Sequence, residues 1–416
     1  VYLRVPVSRI RAQSIAMSSP PFADADSVSR ELSRRLAADI DAAGGCIGFD
    51  AWMQRALYEP GLGYYSGPLR KFGAEGDFVT APEMSPLFGH CVAGQIAQWF
   101  EHCDATVIEF GAGSGRLAAS VLAGLEALGR PVHRYLIVDL SADLRARQRE
   151  TLQAQVPHLL ERVEWLDALP ERIDGVVLGN ELLDAMPVRV FEVRREPGRT
   201  ELLEQGVGLT GQAAPSSEPA FAWQARGADA ELRAAVQPLM PWFDGVAVYR
   251  SEVGLQGQAW VRTVGARLVR GAVLLLDYGF PAHEYYHPHR SEGTLMAHRR
   301  HRAHPDVLAA PGLQDITAHV DFSAVARAGE DAGLDLLGYT SQARFLLNCG
   351  LLEALAREQV DEPAPSATVA QVRRLAAVQT LLSESEMGEL FKVIALGRRL
   401  PDEALGFARG DRRAAL

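Results

Sequence analysis

Val107-Ile-Glu-Phe-Gly-Ala-Gly-Ser-Gly-Arg116 decides the fold of this chain, because three glycines at alternate positions follow directly on an apolar run. Gly111, Gly113 and Gly115 predict a tight turn between a buried strand near 106–110 and a helix over about 114–128. Without a Cβ, the backbone N–H groups and the helix N-terminus can come close to a ligand. Glu109 stands just before the turn, and the next apolar run, Tyr135-Leu-Ile-Val-Asp139, ends in a carboxylate. Glycines against the ligand and an acid placed for ribose hydroxyls describe a nucleoside pocket.

The spacing narrows the nucleoside. A dinucleotide fold uses G-x-G-x-x-G, whose third glycine lets helix and strand pack closely beneath a pyrophosphate. Here the pattern is G-x-G-x-G, and Arg116 occupies the place of that third glycine. An acid, one residue, then G-x-G-x-G resembles the first motif of class I S-adenosylmethionine methyltransferases, which bind no pyrophosphate. A nicotinamide or flavin domain is the alternative.

From 106 to 180 strand and helix alternate, with strands near 106–110, 135–139, 162–166 and 174–179. Short strands with helical crossovers predict a parallel sheet covered by helices on both faces. The third strand ends in Asp167, placed either beside the amino group of an adenine or as the N-cap of a following helix. The fourth runs into Leu178-Gly-Asn-Glu-Leu-Leu-Asp-Ala-Met-Pro-Val188. Ligands of open parallel sheets sit beyond the strands' carboxyl ends, at the switch point, so Asn180, Glu181 and Asp184 fall where a methyl acceptor must lie. A short helical turn would bring Glu181 and Asp184 to one face, to bind a cationic acceptor or take its proton. Their bland reading is a helix capped by Asn180 with a solvated acidic first turn. Asp77, Thr80 and Glu83 are polar groups on an irregular segment, which is either a surface connection or a functional loop carried by the scaffold.

At 416 residues and 48% apolar content the chain predicts a main domain with appended or inserted segments. Residues 1–26 read as a disordered tail or a mis-assigned start. They carry Arg4, Arg9 and Arg11 with no acid before Asp24, so a transit peptide is the alternative. Residues 27–104 form an N-terminal helical and loop segment lining the site, with helices from Asp26-Ser27 to Ile40, over 49–58, and through about Phe100. The cofactor-binding half spans 105–188. An inserted region, 189–270, reads as hairpin strands over 187–223 around a 206–219 loop, then helices over 228–269. The sheet resumes over 271–400 with strands near 271–279, 334–339 and 391–396 and helices near 341–358 and 366–383. It includes an acceptor-facing loop, 281–322, and a tail, 401–416, follows.

Four scattered cysteines suggest neither a disulfide framework nor zinc spacing, which fits a cytoplasmic location, with the mitochondrial matrix as the alternative if the tail is a transit peptide. No apolar run approaches the ~20 residues of a membrane span. A net charge of −10 disfavours nucleic acid. Seven of the eleven histidines lie between His283 and His319, and arginines are interleaved with those of the His298-Arg-Arg-His301-Arg-Ala-His304 stretch. No metal is expected.

Five motifs occur in order: GDFVTAPEMSPLFG (76–89), EFGAGSGRLA (109–118), GNELLDAMPV (179–188), LLDYG (275–279) and PGLQDITAHVDF (311–322). Together they resemble the MidA family over about residues 28–400. That resemblance implies a class I methyltransferase of Rossmann-like α/β fold, using S-adenosyl-L-methionine and methylating arginine of a protein of the respiratory complex I subunit type. It puts Gly111, Gly113 and Gly115 at the cofactor turn and Asp139 at the ribose; Glu109, Asp167 and Asn180 join them as cofactor-binding candidates by their positions at the strand ends. Glu181, with Asp184 or Asp77, is the candidate clamp on a guanidinium. Asp139 departs from the family's more frequent Glu at the ribose, and His298 stands where the family often has an aromatic. A small-molecule methyltransferase and a noncatalytic assembly factor that binds the cofactor are the competing readings.

Overall fold

The computed structural model describes residues 25–67, 80–210, 219–300, 302–361 and 369–416. Asp77, His301, nearly all of the 1–26 segment and the centre of the 206–219 loop lie outside them. Helix α1 (Ala25–Ala42) buries Val28, Leu32, Leu36 and Ile40, an i, i+4 stripe. After the short β1 (Cys46–Gly48), helix α2 (Phe49–Tyr58) buries Phe49, Trp52, Met53, Ala56 and Leu57 against that stripe. One turn, α3 (Ala81–Met84), leads into α4 (Pro86–Trp99), which starts with proline at its first position and Ser85 Oγ accepting from the Leu87 N–H.

The alternating half follows: β2 (Thr106–Phe110), α5 (Arg116–Ala127), β3 (Arg134–Val138), α6 (Ala142–Gln155), β4 (Val163–Leu166) and β5 (Ile173–Asn180). A first insertion supplies β6 (Arg189–Glu196), β7 (Arg199–Leu209), β8 (Phe221–Gly227), α7 (Ala230–Val236) and β9 (Val248–Val253). Helix α8 (Leu255–Arg267) then returns the chain to β10 (Leu268–Phe280). A second insertion holds α9 (Ala282–Tyr285), β11 (Met296–Arg299), β12 (Arg302–His304), β13 (Asp315–Thr317) and β14 (Val320–Asp321). The end comprises α10 (Phe322–Asp331), β15 (Asp335–Ser341), α11 (Gln342–Asn348), α12 (Leu351–Asp361), α13 (Val369–Leu382), α14 (Met387–Leu390) and β16 (Phe391–Arg398).

The main sheet runs β15-β16-β10-β5-β2-β3-β4. Strands from β10 to β4 pair in parallel, and β16 is antiparallel to both its neighbours. Helices α4 and α5 pack on one face around Trp99 and Leu122; α8 and α10 cover the other around Trp260 and Phe322. The chain leaves β2 for β3 on one side and reaches β5 on the other, so the switch point opens between β2 and β5. Both insertions hang from connections at this carboxyl edge. Among the described residues no helix is long and apolar enough to cross a membrane.

Several sequence expectations need correction. Within 228–269, read as helices, β9 is a strand in a five-stranded antiparallel sheet with β1, β7, β6 and β8. Its alternation was hidden because Ser251 and Glu252 are polar yet buried. Strand β7 continues through Leu209 into the stretch read as a loop. The 281–322 segment contains a three-stranded sheet, β12-β11-β13, rather than loop alone. The 341–358 helix breaks in two at Gly350, which has φ +83°. Residues 401–416 are packed: Phe407 is buried over Gly338, and Asp411 accepts from the Tyr339 N–H at 3.2 Å.

Where β10, β5 and β2 meet, two glycines permit the close approach. Gly175 and Gly271 are register partners with φ +140° and +125°. A Cβ on Gly271 would overlap the Gly175 carbonyl oxygen, and one on Gly175 would overlap that of Thr106. Gly271→Ala should therefore cost about 3 kcal/mol. Gly227→Ala, whose Cβ would meet nothing within 4 Å, should change stability by under ~0.5 kcal/mol. Urea unfolding of both variants compares them directly.

Candidate active site

A cavity of about 690 Å³ opens across the carboxyl ends of β2, β3 and β5. Its first wall is the glycine turn. Gly111, Gly113 and Gly115 take φ +63°, +52° and +84°, all left-handed values that favour glycine. Gly115 begins α5, and a Cβ there would stand 2.9 Å from the Gln148 Cα. Beside Gly111, by contrast, a Cβ would meet protein only at Leu182 Cδ1, 3.6 Å away. Helix α3 closes over the turn through Glu83, which accepts from Ser114 Oγ and pairs with Arg116 Nε at 2.9 Å. Thr80 lines the cavity too.

Glu109, buried on β2, accepts from the Tyr135 hydroxyl at 2.7 Å. Burial pushes its pKa up to about 7, Asp139 adds to the rise, and the Tyr135 bond opposes it. Asp139 follows β3 and is 6% exposed. Its Oδ1 accepts from the Ser141 N–H at 2.9 Å and its Oδ2 from Gln148 Nε2 at 2.8 Å. Gln148 also donates to the Gly113 carbonyl at 3.1 Å and accepts from Trp165 Nε1 at 2.8 Å. One buried amide thus ties the glycine turn to β3 and β4. Sequence reasoning missed it, although a glutamine between Leu144 and Leu152 on the buried stripe of α6 was the visible signal.

Asp167 does not join this group. Arg145 reaches across the ends of β3 and β4, donating to the carbonyls of Asp139 and Leu166 at 2.8 and 2.7 Å. It holds Asp167 at 2.7 Å with that side chain 92% exposed. No helix follows for Asp167 to cap either.

The opposite wall is the turn after β5. It is not the expected helical turn capped by Asn180. Glu181 takes φ +49°, a left-handed value that is strained for a non-glycine residue, and its N–H donates to the Leu276 carbonyl at 2.8 Å. Asp277, buried at the end of β10, then accepts the N–H groups of Leu182, Leu183 and Asp184 at 3.1, 2.9 and 3.3 Å. Wrapping around that carboxylate brings Glu181 and Asp184 into the cavity together. Asn180 Nδ2 donates to Glu181 Oε1 at 3.1 Å.

Burial pushes the Glu181 carboxyl up to about 8; Asp184 and Asp315 add repulsion, against hydrogen bonds from Asn180 and the Ala81 N–H. Burial likewise raises Asp184, against bonds from the Tyr278 hydroxyl and the Ala185 N–H. One oxygen of Asp184 is buried with no hydrogen-bond partner. Neither acid pairs with a lysine or arginine among the described residues. Aromatic walls stand around them. Tyr58 and Tyr65 stack at 5.5 Å, the first donating to the Ala185 carbonyl at 2.9 Å, the second to Asp315 Oδ1 at 2.8 Å. Tyr278 meets the His319 ring edge-on at 5.2 Å. Burial pushes His319 down to about 4, so its imidazole is neutral. Tyr58, Tyr65, Asp277 and Asp315 were not singled out from the sequence; only the acid ending LLDYG gave a hint. Among the described residues no group of histidines, cysteines and acids is arranged to hold a metal.

This chain is similar to several known proteins. Residues 91–340 match the family described as "Putative S-adenosyl-L-methionine-dependent methyltransferase". A Burkholderia thailandensis protein crystallised with S-adenosyl-homocysteine is 50% identical, covering 95% of this chain and 99% of that one, with a TM-score of 0.86. The Danio rerio protein arginine methyltransferase NDUFAF7, mitochondrial, is 27% identical over 402 residues, 89% of this chain and 87% of that protein. Its Homo sapiens counterpart is 27% identical over 405 residues, 89% of this chain and 83% of that protein.

Glu109 gives a stability prediction. Its pKa rises from 4.5 to about 7 on folding, so between those values the native state keeps a proton that the unfolded chain has lost. Stability then falls as pH rises. Glu109→Gln removes the penalty and still accepts from Tyr135. Its advantage over the unsubstituted protein should grow by about 3 kcal/mol between pH 4.5 and 8, measured by urea unfolding without cofactor.

Proposed function

The chain belongs to the S-adenosyl-L-methionine-dependent methyltransferase family, and from that premise we propose that it is a protein arginine N-methyltransferase whose acceptor guanidinium sits between Glu181 and Asp184. The observation that carries this reading is the pair of cavity carboxylates, Asp184 buried and Glu181 half-buried, with no cationic partner among the described residues, the first with an unsatisfied oxygen. Buried charge is costly unless it is paired, and a planar, five-donor guanidinium is the cation that satisfies two carboxylates at once. The names of the NDUFAF7 relatives support the same acceptor.

S-adenosyl-L-methionine is the cofactor, and the glycine side fits it. The space a Cβ would fill at Gly111 opens on the cavity, Asp139 is held beside it for the ribose, and Leu140 presents an apolar side chain 58% exposed. Glu109 and Asn180 complete that end. When bound, the cofactor supplies an activated methyl group on a sulfonium.

The residues of this chain then supply orientation and proton transfer. An entering guanidinium brings the positive charge that lets both Glu181 and Asp184 ionise. Their hydrogen bonds draw its charge toward two nitrogens and leave the third more nucleophilic. That nitrogen would thereby face the methyl group that the cofactor would supply. The methylated guanidinium returns to a single positive charge by giving Glu181 a proton from the nitrogen that Glu181 already holds. Tyr58 and Tyr65 flank the site with rings that exclude water and favour a planar cation.

Methyl-labelled cofactor added to cell lysate with the purified protein tests this, with Gly113→Trp as the blank and a respiratory complex I subunit as the first protein to look for. A protease-sensitive band that yields methylarginine is the expected result; label confined to small molecules would overturn it. With the labelled acceptor in hand, kcat/KM should climb with pH to a plateau above an apparent pKa near 8, the free-enzyme value of Glu181. Glu181→Gln should flatten that rise and lower kcat by about 100-fold or more, with cofactor affinity by calorimetry unchanged.

A further inference from the structure

We propose that the β11–β12 hairpin is a docking arm for an acidic stretch flanking the target arginine, so that the protein selects arginines in acidic surroundings. The inference rests on the arginine reading above and adds the context of the acceptor. Arg299 and Arg302 are directly opposed across the hairpin. Facing like charges destabilise a strand pair, and among the described residues neither arginine forms an ion pair. Arg300, exposed in the turn between them, takes φ +51°. The feature is costly to the isolated protein and becomes favourable when an anion bridges the arginines.

Position ties the arm to the site. One pair inward, His298 and Ala303 are cross-strand partners that both line the cavity, and beyond them Ala297 is buried in the core. The base is therefore anchored, and Arg299 and Arg302 stand one residue beyond the cavity-lining pair, on the other face of the hairpin. Arg290 lines the cavity as well, its guanidinium 3.9 Å over the Phe280 ring. Between His287 and His304 the chain holds four arginines against one acid, Glu292, in a protein of net charge −10. An acidic cavity with a basic rim sorts a substrate segment by sign: the guanidinium goes in and flanking carboxylates stay on the rim. Such complementarity fixes register and speeds encounter.

The test uses two short fluorescent peptides with the same central arginine, one flanked by Asp and Glu and one by Ser and Gln, plus versions carrying norleucine for the arginine. At low salt the acidic peptide should bind about tenfold tighter than the neutral one, with or without its arginine, and half-molar salt should erase the difference. The Arg299→Gln/Arg302→Gln variant should lose that preference while its kcat on the neutral peptide stays unchanged. Its Tm should match or exceed the parent's, since facing charges are removed. Equal binding of the two peptides, or a preference kept by the variant, overturns the arm. So does a short RNA that binds more tightly than the acidic peptide and is lost in the same variant. Hairpin-dependent binding with no methylation of either peptide would leave the arm standing and remove the arginine reading instead.

Discussion

The site depends on one carboxylate that faces away from it. Asp277 takes three consecutive backbone N–H groups after β5, doing for this turn what a preceding helical turn's carbonyls would do. Without that carboxyl, Glu181 would have little reason to hold a left-handed φ that costs about 1 kcal/mol or more. The two acids in the cavity would then have no fixed spacing. Burial, with Asp184 and Glu181 close by, pushes the Asp277 carboxyl well above the usual carboxylate range, against the N–H bonds from Leu183 and Asp184.

The same turn couples the two halves of the cavity. Leu182, held by Asp277, lies against both Gly111 and Gly179, so the end of β5 and the glycine turn after β2 settle together. On the far side of the glycine turn, Gln148 links Gly113, Asp139 and Trp165. The two walls of the cavity are thereby registered through two small buried devices rather than through loops. The insertions add the remaining walls from the same edge of the sheet.

Much of this was legible in the sequence because it is local. The glycine turn, Asp139 and the parallel alternation follow from spacing along 106–180, and the structure places Glu109, Gly111, Gly113, Asp139, Asn180, Glu181 and Asp184 around one cavity. What was not legible depends on distant partners. Asp167 turned outward because Arg145, on the preceding helix, crosses two strand ends. Strand β9 hid because its buried Glu252 is satisfied by Tyr285 and Thr294, which no period reveals. The helical turn at 181–184 was misread because its N–H groups are capped by a residue almost a hundred positions later.

Tyr65 donates to Asp315, 250 residues further along the chain, and Tyr58 reaches Ala185 across 127. The aromatic wall is therefore made early in synthesis while its partners come late. Loop-closure entropy makes such pairings slow to form. Until residues near 315 have been made, the face of α1 and α2 that packs on the second insertion stays uncovered, and a half-made chain is open to aggregation there. Assembly of the cavity is accordingly a late step in the folding of the whole molecule, and chains cut short before β13 would carry an intact glycine turn beside an unfinished site.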